Sequence, residues 1–382
     1  MLRRTSTTRL LAIIATALVV LCGGAAIAVA AIGGSGATPP PKPLAQAVHD
    51  ALAAPPVQGV TARISFTNHL VDTGSLPQGS TPLLSGASGR LWATADGRIR
   101  LELQSDRGDA QITSDGTTVT ILDSSTNQAY RITLPHRNTA KPEQGSTPSV
   151  ADIQRTLGDI ASSADIGSAV PSNVAGRPAY TVRISPKHDG GLTNAAELAW
   201  DAATGTPLRA AVYASGDTKP VLQLEATDIS FGPVAASDLQ APLPSGVKVS
   251  NVDLGGHGPV SSGPEVTGAG PVSKAIPFRL AAPGTLVGLP RHEVRLVDFD
   301  GSKGAVVTYG KGLGGIAVLE QPATTGGANG SLPLPKVSIG GVDGQELATA
   351  LGTVVRFERG GVTYTIIGSV PPAAAEAAAR GL

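Results

Sequence analysis

Apolar and polar residues alternate along much of this chain, and the alternation predicts strands before composition is considered. VTARISF (60–66) puts Val60, Ala62, Ile64 and Phe66 on one face. GRLWATADGRIRLELQS (89–105) reads as a hairpin turning at Ala95, Asp96 and Gly97. AQITSDGTTVTILDSSTNQAYRITL (110–134) continues the meander, with turns at Asp115 and Gly116 and again at 125–128. AYTVRISP (179–186), ELAWDA, PLRAAVYA and VLQLEATDISFG (221–232) resume it. Two stretches change period from two to that of a helix. LAQAVHDALAA (44–54) lines up Leu44, Val48 and Leu52 and stops at Pro55 and Pro56, and an amphipathic helix is expected over 150–163. Nine to eleven strands at about ten-residue intervals predict one strongly curved antiparallel sheet with short helices available to cover a face.

Within that sheet, DAATGTP (201–207) predicts a hairpin turn. Asp201 caps its own backbone, Gly205 supplies a positive φ, and Pro207 blocks helix formation before Leu208 and Arg209. After Val249 the pattern fades: residues 251–276 are mostly Gly, Pro and Ser and read as a linker. Strands return near 293–299, 304–309, 315–319, 353–358 and 361–367, and an Ala-rich helix with Pro at its start closes the chain. The expected organisation is a hydrophobic N-terminal segment (1–36), a linker (37–43), a half-barrel domain (44–250), the Gly/Pro-rich linker (251–276) and a smaller α+β domain (277–382).

Composition narrows the function. The 382 residues include 48 Gly and 30 Pro, which argues against long helical bundles and for a mainly β, turn-rich fold. Basic and acidic residues balance at 29 each and aromatics make up 3%, so neither the cationic patch nor the stacking platform of a nucleic-acid binder is expected. Arg3, Arg4 and Arg9 precede an uncharged apolar run over 10–32. That order puts the N-terminus in the cytoplasm and the body outside it. The run serves either as a single membrane anchor or, because Ala28, Val29 and Ala30 fit a small-x-small site, as a signal cleaved after Ala30. Cys22, the one cysteine, lies inside this run after Leu21 and reads as an apolar residue, leaving no disulfide or thiolate metal site outside.

No catalytic constellation emerges. YGKGLGG (309–315) has GxGxxG spacing, but IAVLEQP follows where a phosphate-binding helix would have to start, so it reads as a turn. The six histidines form no HxxxH or HxH pair, the acidic residues fall mostly at turns, and no G-x-S-x-G elbow occurs. The chain is expected not to be an enzyme and to need no cofactor or metal. Its resource is apolar surface: Ile64, Phe66, Leu91, Leu101, Ile121, Ile132, Val182, Trp200 and Leu222 recur at inward positions. They form either a self-filled core or an apolar cavity for an acyl chain.

ELAWDAATGTPLRAAVYASGD, with VAGRPAYTVRISP before it and LQLEATDISFGPVAASDLQAPLPSGVKV after it, resembles the LolA-like lipoprotein-carrier superfamily through Asp201, Thr204, Gly205, Pro207, Leu208 and Arg209. The C-terminal GTVVRFERGGVTYTIIGSVPPAAAEAAARGL is similar to the end of the RseB/MucB proteins through Gly368, Val370, Pro371, Pro372 and Ala375. The first resemblance implies a half-barrel holding a lipid or lipoprotein acyl chain, with Trp200 packing beneath the sheet. The second implies a two-domain regulator that binds an anti-sigma factor or another membrane protein.

Overall fold

The computed structural model describes residues 36–71, 82–134, 147–187, 191–253, 266–299, 302–323 and 334–382. The hydrophobic N-terminal run, Cys22, His136, His188, His257 and residues 254–265 of the expected linker lie outside the described residues. Among the described residues, no helix is long and apolar enough to cross a membrane.

The chain is mainly β, and its described residues form two sheets of thirteen and eight strands. The first opens with helix α1 (Leu44–Ala53) and strand β1 (Gly59–Asn68), followed by a short helix α2 (Pro82–Ser85). A meander then runs through β2 (Ala87–Thr94), β3 (Ile99–Ser105), β4 (Gly108–Ser114), β5 (Thr118–Asp123) and β6 (Gln128–Thr133). Helix α3 (Val150–Ile160) and the edge strands β7 (Ala164–Ile166) and β8 (Val170–Val174) follow. The second meander is β9 (Arg177–Pro186), β10 (Thr193–Asp201), β11 (Pro207–Ala214) and β12 (Leu222–Phe231). β12 pairs antiparallel with β1, which joins the two meanders into one curled half-barrel sheet.

A strap with the short helix α4 (Ala236–Leu239) leads to β13 (Lys248–Asp253), which adds in parallel to β6 at the far edge. The strands carry out what alternation demands. Ile64, Leu101, Ile112, Ile121 and Ile132 fall on one face and are buried together with Leu83 of α2. A bulge between Arg63 and Ile64 shifts the β1–β12 register and lets the sheet bend there.

The second sheet comprises β14 (Thr285–Leu286), β15 (Leu289–Phe299), β16 (Ser302–Tyr309), β17 (Ile316–Pro322), β18 (Lys336–Ile339), β19 (Val342–Thr349), β20 (Gly352–Arg359) and β21 (Val362–Gly368). Helices α5 (Ala269–Ala275) and α6 (Pro372–Arg380) pack on it, around a core that includes Val272, Val307, Phe357 and Ala378. The short elements α2, α4, β7, β8 and β14 have no counterpart in the sequence pattern, and three larger features depart from it. α5 forms inside the stretch expected to be a linker, because Val272 is buried against the sheet. β13 extends the first sheet into that same stretch. β18 and β19 form a hairpin with the two-residue turn Gly340-Gly341, both at positive φ, in a segment without clear alternation.

Candidate functional site

The turn at 201–207 orders one end of the half-barrel. Asp201 is buried, and its Oδ1 accepts from the backbone N–H groups of Ala203 (2.9 Å) and Thr204 (2.8 Å). Its Oδ2 accepts from Arg177 Nε at 2.7 Å. Gly205, at φ +68°, lies so close to the Ala51 carbonyl of α1 that a Cβ there would collide with it. The turn therefore does more than close a hairpin: it seats the C-terminal end of α1. Pro207 pairs with Trp200, and a register shift makes Leu208 the extra residue, packed against Val174, Ala179 and Ala199.

α1 covers Trp200, Tyr180 and Val182 with Leu44, Ala47, Val48 and Ala51. The Trp200 and Tyr180 rings sit 6.1 Å apart at a tilt. Tyr180 Oη donates to the Pro40 carbonyl (2.6 Å), and Lys42 pairs with Asp50 at 2.6 Å, so the entry to the helix is also tied down. At the other end of the same face, α2 and the curl of β1–β6 bury the core residues.

Between these two covered ends lies an apolar band. Register connects Phe66 to Leu224, Leu224 to Ala210, Ala210 to Leu198 and Leu198 to Val182 across five strands. A second row runs from Leu222 through Val212 and Ala196 to Ile184. In these rows Leu198 and Ile184 are exposed at 36% and 37%, and Leu222, Leu224, Ala210 and Val212 are half-buried. Beside the band, a cavity of about 60 Å³ opens among Val60, Ile64, Leu91, Leu208, Leu224 and Ile229. That is roughly the space of two water molecules.

The nine apolar residues singled out by alternation all point to this face, but they divide into three groups. Ile64 and Leu91 line the small cavity and Leu222 lies on the band. Phe66, Leu101, Ile121 and Ile132 are wholly packed within the core. Val182 and Trp200 lie under α1. Leu198, Ile184 and Leu224 share the same inward alternation and are the more accessible positions, but they are not among the nine. Alternation reports which face a side chain takes, while helices distant in sequence decide what is covered.

The opposite face of β9–β11 carries a polar cluster set among buried alanines. Glu197 Oε1 accepts from Arg183 (2.9 Å), and its Oε2 accepts from Tyr213 Oη (2.9 Å) and from Arg209. The Arg183 guanidinium lies 4.5 Å above the Tyr213 ring. Burial pushes the Glu197 carboxyl up, but the Arg183 and Tyr213 hydrogen bonds and the Arg209 charge outweigh it and hold the group below its ordinary value. Arg209, read from sequence as part of the hairpin motif, thus acts as a cross-strand clamp with Glu197. Among the described residues, no cluster of three His, Cys, Asp or Glu side chains is placed to hold a metal ion.

No family model matches the chain, and no curated protein matches it. Solved structures do. The complex of Pseudomonas aeruginosa MucA and MucB aligns at 18% identity over 88% of this chain and 94% of that one, with a TM-score of 0.41. The crystal structure of MucB aligns at 17% identity over the same shares, with a TM-score of 0.39. A putative outer membrane lipoprotein-sorting protein domain from Vibrio parahaemolyticus aligns at 11% identity over 47% of this chain and 88% of that one, with a TM-score of 0.17. These are the two kinds of protein that residues 201–209 and 368–375 resemble.

Proposed function

We propose that this chain is a non-enzymatic binding protein of the cell envelope. Its body works outside the cytoplasm and holds the apolar chain of a lipid or lipoprotein along the band of Leu222, Leu224, Val212, Leu198 and Ile184. The observation that carries the reading is the band itself: half-exposed apolar side chains on the four paired strands β9 to β12, with both ends of the same face already roofed by helices. A chain laid there gains about 0.8 kcal/mol for each methylene it buries. The band offers no acid, base or nucleophile, so binding there is non-covalent. Three arginines ahead of the apolar run at 10–32 support placement of the body outside the cytoplasm.

The test is lipid extraction with native mass spectrometry on the full chain purified from its own membranes, together with titration of a fluorescent fatty acid. The expected result is about one acyl-bearing molecule per chain, with binding weakened at least about tenfold by Leu198→Glu, which places a charge on the band without entering the core. A ligand-free chain that binds no probe overturns the reading. A regulator that engages a membrane-protein partner, as MucB engages MucA in its solved complex, would then take its place.

A further inference from the structure

The smaller sheet holds a carboxylic acid where an apolar residue belongs. β17 alternates Ile316, Val318 and Glu320 inward, and all three are buried, Glu320 with no exposed surface. Glu320 Oε2 accepts one hydrogen bond, from the backbone N–H of Ala281 at 2.9 Å. Its Oε1 has no partner, and neither does the buried hydroxyl of Tyr309 on the neighbouring strand β16. Ala281 belongs to residues 277–284, which join α5 to β14 and lay Phe278, Leu280 and Ala282 over the core.

We propose that residues 277–284 form a strap latched onto the small sheet by Glu320, and that the strap is released when this carboxyl gives up its proton. Closed, the strap seals the carboxyl among apolar groups and supplies a single N–H. A buried charge with one partner is costly, and opening the strap to water removes that cost. Burial pushes the Glu320 carboxyl up to about 7, and the Ala281 N–H draws it only partly back. The groups around it do not neutralise the charge. Tyr364, paired with Glu320 on β21, and Tyr309 on β16 are both pushed up by burial and by Glu320's own charge, Tyr309 to about 12. Arg291 on β15 acts on Tyr309, and Arg359 on β20 acts on Tyr364. Strap residue Arg279 is exposed.

The sign follows from the two states. In the open strap the carboxyl is hydrated and near its ordinary 4.5, so closing takes up a proton between 4.5 and 7. Closure is therefore fully favoured below about pH 4.5, weakens about tenfold per pH unit up to about 7, and is level above that. Release bares Glu320 and the apolar underside of the strap as a new surface on the small sheet.

Hydrogen exchange on the full chain in detergent tests this, with rates corrected for intrinsic pH dependence and strands β17 and β21 as internal references. Protection of 277–284 should fall about tenfold per unit from pH 4.5 to 7 while the reference strands hold. Glu320→Gln keeps an acceptor for the Ala281 N–H but cannot ionise, and it should give a flat profile. The same slope in Glu320→Gln overturns the proposal, as does loss of protection in the strap and reference strands together.

Discussion

Two acidic side chains of the first sheet show how much depends on partners that the local sequence does not contain. Asp201 was legible as a turn residue because an aspartate before Thr-Gly caps its own backbone. Its ion pair with Arg177, from the preceding hairpin, was not. Asp201→Ala removes the acceptor for two turn amides and leaves Arg177 without its carboxylate. The expected loss is roughly 2–3 kcal/mol in a denaturant titration, with a smaller loss for Asp201→Asn, which keeps an oxygen for the amides. Equal losses for both variants would mean that the ion pair, not the turn, carries the effect. Glu197 lends stability that depends on pH. Its folded-state value lies below the ordinary 4.5, so its contribution is complete above 4.5 and is lost as pH falls through that lower value. Glu197→Gln should flatten the acid limb of stability measured by urea unfolding across pH. An unchanged acid limb would show that the Arg183, Tyr213 and Arg209 contacts contribute little.

Elements follow the sequence closely where period and punctuation agree. α3 begins at a capping box: Ser149 Oγ accepts from the Asp152 N–H, and the Asp152 carboxylate accepts in return from the Ser149 N–H. Ser149→Ala should cost about 1 kcal/mol in thermal unfolding followed by circular dichroism, and Ser149→Asp should restore most of it. Elements held mainly by tertiary contact were harder to see. α5 contains Gly270, which opposes a helix, and its seven residues are stabilised by burying Val272, while Pro271 is tolerated in the first turn. β18 and β19 offer few apolar residues, and Ile339 becomes a core residue only when the hairpin docks on β20. The helix over 44–54 appeared where its spacing placed it, because Leu44 and Val48 meet Trp200 and Tyr180 across the fold.

At the scale of the molecule, the two sheets have separate cores, and hydrogen bonds among the described residues join them. Leu192 N–H donates to the Ser369 carbonyl (2.9 Å) and Oγ (3.0 Å), and Ala350 N–H donates to the Leu70 carbonyl (2.8 Å). Gly191, at φ +60°, allows the approach, since a Cβ there would run into the Ser369 carbonyl oxygen. Gly191→Val should raise the radius of gyration in small-angle scattering while the thermal transitions of both sheets keep their midpoints. A single lowered transition would instead show that the two sheets fold as one unit.

The sequence by itself determined the long alternating strands of both meanders, their inward faces and the 201–207 turn, because period-two alternation and turn chemistry act over a few residues. It also carried the signal for Glu320, an acid in an inward slot of an otherwise apolar strand, though one strand alone does not say whether such a slot will be sealed. Only the tertiary structure decided which inward residues are accessible. Leu198 and Leu101 have the same local pattern, yet Leu198 stays open and Leu101 is enclosed, since α1 and α2 roof the two ends of the face and leave the middle bare. Burial depends on what arrives from elsewhere in the chain, and local periodicity holds no record of that.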